Sequence, residues 1–187
     1  MELFKKYYFT LFEFARDLPN SNVKEITIRD GSVLITTKNE EIRLNCLEGE
    51  VTSALGQLIL AGTEREEQEM MTALLAELMT SRTEQHSEMV FFDIGANVGI
   101  YSVYAAKREP QSMVYAFEPE YSNLHLLKQN IINNNLLDNI ICYSIALNNK
   151  TGISYLHIQD MTPGAALATV SSDNLEKTAT GHLVIFK

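Results

Sequence analysis

The sequence predicts an α/β fold, a mainly parallel sheet with helices between its strands, preceded by an N-terminal helix and a small antiparallel β-meander. Three observations predict it. Beyond Ser87, apolar strand-like runs alternate with amphipathic segments; between Val23 and Cys46 the apolar period is two; and a glycine turn joins the first run of the alternating part to the segment after it.

Residues 2–17 carry Leu3, Tyr7, Leu11, Phe14 and Ala15 at close to helical spacing, and Pro19-Asn20-Ser21-Asn22 stops them, so a docking helix is expected. From Val23 the chain alternates, turns at Asp30-Gly31 into Val33 to Thr37, and returns from Glu41 to Cys46, which reads as a three-stranded meander. So small a sheet is marginal alone and is expected to pack on the domain after it. Thr63-Glu64-Arg65-Glu66 resembles a capping box, and Met70, Met71, Leu74, Leu75, Leu78 and Met79 form one apolar stripe behind it. These divide the chain into an extension, 1–62, and a main domain, 63–187.

In the main domain the rhythm predicts a strand from Met89 to Ile94, a helix from Val98 to Lys107, a strand from Met113 to Phe117, a helix from Ser122 to Asn134 and a strand from Ile140 to Leu147. Further strands are expected from Ile153 to Ile158 and from Leu183 to the end. Alternation of this kind gives a parallel sheet with right-handed crossovers, and its apolar strands suit a sheet covered on both faces.

The net charge of −9 argues against a nucleic-acid or anionic-membrane binder, since such proteins lay basic groups against phosphate. Cys46 and Cys142 lie far apart, in no spacing that suggests zinc or a disulfide framework, so a reducing, cytoplasmic setting is expected and no metal site. Lys5 to Phe9 resembles the start of a signal peptide, but Glu13, Arg16 and Asp17 interrupt it, and no stretch is long enough to insert in a membrane.

The chemistry is concentrated in Phe91-Phe92-Asp93-Ile94-Gly95-Ala96-Asn97-Val98-Gly99, a buried strand running into a glycine turn and a helix. Ligands of open parallel sheets bind at that end of the strands. Gly95 and Gly99 let the backbone turn tightly and approach a ligand, while Asp93 places a carboxylate beside the opening. The spacing is Asp-x-Gly-x-x-x-Gly. It differs from the Gly-x-Gly-x-x-Gly that aims helix-start amides at a pyrophosphate, and it suits a cofactor without phosphate that carries cationic groups. At the end of the next strand, Tyr115-Ala116-Phe117-Glu118-Pro119 supplies an acid able to accept from two ribose hydroxyls. Each piece alone reads as a tight turn or a solvated acid; on consecutive strands they read together as a nucleoside-cofactor site.

These words in this order, with Tyr101-Ser102, then Asn123, Leu127, Asn130 and Asn133, then Ala146-Leu147 and Gly152, resemble the FkbM family of S-adenosylmethionine-dependent methyltransferases over roughly residues 60–187. The resemblance implies a Rossmann-like domain. It also implies that Asp93, Gly95, Ala96, Asn97 and Gly99 surround the methionine part of S-adenosylmethionine, that Glu118 takes the ribose, and that the backbone near Ala146 borders the adenine. The implied reaction is O-methylation of a sugar, lipid-linked or natural-product hydroxyl. Asn130 is read as helping to end its helix, and Leu124, Leu127 and Ile131 as packing residues.

In the family, a Lys-Ile-Asp-Val-Glu-Gly type segment follows the fourth main strand, and Lys187 would be its lysine. The sequence is therefore read as a truncated domain that holds the cofactor part and lacks most of the acceptor part. A four-stranded remnant is expected, with self-association through an exposed sheet edge. No catalytic residue is assigned: His125, His157, Asp160, Asp173 and His182 are each more often surface or structural groups. Two other readings stand beside the methyltransferase, a nicotinamide-dependent oxidoreductase on the same strand–turn–helix architecture and a non-catalytic fragment or interaction module.

Overall fold

The computed structural model describes residues 16, 19, 23–29, 32–38, 42–46, 70, 73, 77, 89–149, 151–158, 169–171 and 180–186. The docking helix, apart from the helical backbone at Arg16, lies outside the described residues, as do the capping box at 63–66 and the segment around Pro163.

The meander consists of β1 (Val23–Arg29), β2 (Ser32–Thr37) and β3 (Arg43–Cys46), all antiparallel. Arg29 pairs with Ser32, so Asp30-Gly31 forms the whole connection, as its turn chemistry predicts. A bulge lies between Val23 and Glu25. The extra residue shifts the alternation, so that Val23 and Ile26 both reach the core while Lys24 and Glu25 stay outside.

The main domain runs β4 (Val90–Ile94), α1 (Ile100–Arg108), β5 (Met113–Phe117), α2 (Tyr121–Asn133) and β6 (Ile140–Tyr143). The three strands form a parallel sheet in the order β4-β5-β6. Both crossovers progress in the same direction across the sheet, and crossovers of one hand then place both helices on one face. Under them lie Asp93, Val114, Ala116 and Ile140, all buried. The other face carries Phe92, Ile94, Tyr115, Phe117 and Tyr143. Among the described residues that face is not covered, in contrast to the two covered faces expected: Phe92 is 59% exposed and Ile94 66%. Its rings instead stack on one another, Phe92 on Tyr115 at 5.4 Å and Phe117 on Tyr143 at 5.1 Å between centroids.

The meander packs on the outside of α2, as its marginal size demanded. Val23, Ile35, Ile42 and Leu44 join one hydrophobic core with Val103, Leu127 and Ile131 of the helices. Asn134 fastens this contact at the end of α2. Its Oδ1 accepts from the Arg43 N–H at 3.0 Å, and its Nδ2 donates to the Arg43 carbonyl at 2.7 Å, so the side chain pairs with β3 much as a neighbouring strand would.

The strand expected from Ile140 to Leu147 is divided. β6 ends at Tyr143, and β7 (Ala146–Leu147) belongs to a further sheet with β8 (Gly152–His157), β9 (Thr169–Ser171) and β10 (Thr180–Phe186), in the order β7-β10-β8-β9. The C-terminal strand β10 pairs parallel to β7 and antiparallel to β8. It does not extend the first parallel sheet, so among the described residues the expected four-stranded remnant has three strands, with β4 and β6 at its edges. The continuous apolar run Leu183 to Phe186 within β10 fits either neighbour; the choice is made by pairing with β8, which no local signal encodes. Met70, Ala73 and Glu77 lie in helical backbone and are all exposed. Spaced three and four apart, they share one outward face. Met70 therefore does not belong to an inward stripe, at 70% exposed.

Candidate cofactor site

The opening lies at the carboxyl ends of β4 and β5. Gly95, Asn97 and Gly99 all adopt positive φ, at 80°, 51° and 83°. Two of the three are glycines, and the third is asparagine, the side chain that best tolerates this region. The alternation curls the backbone so tightly that each of its N–H groups finds an acceptor within the protein. Gly95 and Ala96 donate to the Phe117 carbonyl at 2.9 and 3.0 Å. Asn97 donates to Glu118 Oε2 at 2.7 Å, Val98 to Asn97 Oδ1 at 2.7 Å, and Gly99 to the Ala96 carbonyl at 2.8 Å.

Gly99 is the N-cap of α1, which therefore begins two residues later than the periodicity predicted. A side chain at Gly99 is excluded twice over, by φ and by Leu127, whose Cδ1 occupies the position a Cβ would need. Gly95 faces open space.

Asp93 is buried at the end of β4 and accepts from the Ser102 hydroxyl at 2.6 Å, with a further bond from the Ser102 backbone N–H. The start of α1, with its partial positive charge, is thus faced by a carboxylate of the protein itself. Burial pushes Asp93 above the usual carboxylate range, and the Ser102 bonds oppose it. Glu118 is buried at the end of the neighbouring strand β5, Oε2 on the Asn97 N–H and Oε1 on the Glu120 N–H at 2.8 Å. Burial raises its pKa as well. The two backbone amides and the Asn123 side chain oppose that rise, while the nearby Glu120 carboxylate adds to it. Three of the four lone-pair sites of Glu118 are engaged in this way, by the Asn97 and Glu120 N–H groups and the Asn123 side chain, and one remains. Among the described residues no lysine or arginine acts on either carboxylate.

Hydrogen bonds therefore bring together Gly95, Ala96, Asn97, Gly99 and Glu118, while Asp93 is tied through Ser102 to the helix that follows the turn. Ala146 belongs to β7 of the further sheet, where it packs against Leu156. Of the residues left without a role, His125 is exposed on α2 and His157 is buried with Nε2 unpaired; Asp160 and Asp173 lie outside the described residues.

Sequence reasoning missed three participants. Ser102 shares the first turn of α1 with the site, so its spacing from Asp93 was available as a signal. Glu120 caps α2 by accepting from the Ser122 and Asn123 N–H groups at 2.9 and 2.6 Å, a capping acid before an apolar helix. Asn130 does not end its helix with its side chain: Nδ2 donates to the Val98 carbonyl at 2.8 Å, and the helix is closed by Asn134.

Fold and site define an α/β domain with a parallel sheet and a glycine turn at the carboxyl end of its first strand. The family model that matches it is the Methyltransferase FkbM domain, over residues 93–183, so the resemblance seen in the sequence is borne out. No curated protein matches the chain. Among solved structures, it is similar to TYW2 of M. jannaschii in complex with AdoMet, with 20% identity, 64% of this chain and 45% of that one covered, and a TM-score of 0.40. A methyltransferase FkbM from Methylobacillus flagellatus KT gives 19% identity, 40% and 21% coverage and a TM-score of 0.31. The precorrin-6y C5,15-methyltransferase of Geobacter metallireducens GS-15 gives 22% identity, 32% and 31% coverage and a TM-score of 0.29. The chain spans less than half the length of each.

Proposed function

We propose that this chain binds S-adenosylmethionine at the turn after β4 and forms the cofactor part of an S-adenosylmethionine-dependent methyltransferase. One observation carries the reading: the N–H groups from Gly95 to Gly99 are all engaged within the protein, while two buried carboxylates, with no cationic partner among the described residues, lie at the same opening. A pyrophosphate needs free amides and would meet Asp93 at the start of α1; a ligand with an ammonium and a sulfonium group needs the opposite.

In this reading Asp93, Gly95, Ala96, Asn97 and Gly99 border the methionine part, Glu118 takes the ribose, its remaining lone pair accepting from a hydroxyl, and Ala146 is assigned to the adenine from family resemblance. Bound S-adenosylmethionine supplies an electrophilic methyl group. The chain's own part is to hold the cofactor and fix the direction in which that methyl points. The acceptor we propose is a hydroxyl on a sugar, lipid-linked or natural-product molecule, in a reducing, cytoplasmic setting. Residues 1–62 serve as an extension to the domain 63–187.

Calorimetry with S-adenosylhomocysteine and with NAD tests this directly. The homocysteine compound is expected to bind and NAD not; binding of NAD alone would transfer the site to the oxidoreductases. Asp93→Ala and Glu118→Ala each remove a charge-assisted contact of about 1.5–3 kcal/mol, roughly a ten- to hundredfold loss of affinity. Unchanged affinity in both would sink the site.

A further inference from the structure

One polar and apolar stripe of α2 touches the cofactor turn at Val98 and Gly99 and the Glu118 carboxylate that the turn holds. Asn123 donates to Glu118, Leu127 fills the space behind Gly99, and Asn130 donates to the Val98 carbonyl. These residues are four and three apart, one face of the helix. Asn130 is completely buried, and so is Leu127.

The Val98 bond is the informative one. Val98 lies between Asn97 and Gly99, two residues of positive φ, and its carbonyl precedes the N-cap of α1. The peptide between Val98 and Gly99 could rotate if that carbonyl were released, and rotation would carry the Gly99 N–H away from Ala96. The Asn97 N–H that holds Glu118 lies one residue further back on the same turn. The backbone carbonyl of Asn130 accepts from Asn134 at 2.7 Å, a contact that any residue at 130 would provide; only the side chain reaches the turn.

We propose that Asn130 is a positioning residue of the cofactor site, which locks the Val98–Gly99 peptide and thereby holds the Glu118 carboxylate in place without touching the ligand. The ligand half of this inference rests on the reading of the site as one for S-adenosylmethionine; the locking half does not, and the two fail separately.

The locking is read in the ligand-free chain by amide hydrogen exchange. In Asn130→Leu, similar in shape and without the donor, the Gly99 N–H is expected to exchange about tenfold faster relative to the amides of β5, and S-adenosylhomocysteine to bind about tenfold more weakly. Asn134→Ala is the control. It removes, from the same helix, the two bonds to Arg43 and the one to the Asn130 backbone carbonyl, none of which reaches the turn, and should lower overall stability while leaving the Gly99-to-β5 ratio and the affinity as in the parent. Equal effects of the two substitutions would make Asn130 a merely structural residue and overturn the proposal. So would a Gly99 amide as protected as in the parent. Should Asn130→Leu fail to fold, the unmodified chain decides: the Asn130 side-chain amide and the Gly99 N–H must exchange with the same dependence on urea, and different dependences refute the lock. Faster Gly99 exchange in a chain that binds no S-adenosylhomocysteine would keep the lock and reject the cofactor reading.

Discussion

Alanine at Gly99 would set its methyl group on Cδ1 of Leu127, a side chain with no exposed surface into which it could move. Two costs add. The residue must hold φ at 83°, which costs an L-amino acid about 1–2 kcal/mol, and the forced overlap adds about 1–3 kcal/mol of overpacking. The sum, about 2–5 kcal/mol, is a large part of a small domain's stability. Gly95 supplies the internal comparison. At φ 80° it carries the same backbone cost, yet a methyl there meets nothing within 4 Å. Urea unfolding followed by far-ultraviolet circular dichroism should therefore show Gly95→Ala losing about 1–2 kcal/mol and Gly99→Ala clearly more. With a slope of about 1–3 kcal/mol per molar urea, the two midpoints should differ by roughly 1 M. The double variant Gly99→Ala, Leu127→Ala makes the cause explicit. Leu127→Ala alone costs about 2–5 kcal/mol through its cavity, but the new methyl would enter that cavity, so the pair should fall short of additivity by about 1–3 kcal/mol. Equal losses at Gly95 and Gly99, or strict additivity in the double variant, would refute the close approach of α2 to the turn.

Two further outcomes follow from charge and from exposure. Burial raises Asp93 above its ordinary 3.8 in the folded chain, so the folded state holds that proton more tightly than the unfolded one; the stabilisation is complete below 3.8 and is lost as pH rises through the folded value. Asp93→Asn, a mimic of the protonated form, should accordingly gain thermal stability relative to the parent as pH rises above that point, and a difference that is flat or shrinks contradicts the assignment. The uncovered face of the parallel sheet predicts concentration-dependent association in sedimentation velocity, suppressed by Phe92→Glu with Ile94→Glu but not by His125→Glu on the helical side; a parent chain that stays monomeric at high concentration removes this expectation.

What could be read from the sequence was what depends on neighbours along the chain. Asp93, Gly95 and Gly99 lie within one strand–turn–helix, and Glu118 ends the next strand, so spacing alone placed them at one opening. The meander was legible for the same reason, down to the two-residue connection at Asp30-Gly31. The bulge after Val23 was not, because alternation continues on both sides of it and only pairing with β2 reveals the extra residue. β10 has the pattern of a strand but carries no mark of its partner. Asn130 is the clearest case. An asparagine near a helix end suggests a cap, and only the packing of α2 beneath the turn shows its amide aimed at Val98.

The charge arrangement of the turn follows from this packing. A helix start after a glycine turn is by default an anion site, since its free N–H groups and the helix dipole both favour negative charge. Here α1 meets Asp93, and the turn's own N–H groups meet Phe117, Glu118, Asn97 and Ala96, so the attraction for an external anion is already satisfied from within. Among the described residues the opening carries acidic groups without basic partners, two carboxylates whose burial makes ionisation costly. A cation near either carboxylate would lower that cost there. The backbone geometry that excludes a phosphate is thus the same geometry that makes a cationic ligand the favourable one, and Asn130, by fixing the turn, keeps the Glu118 carboxylate within reach of it.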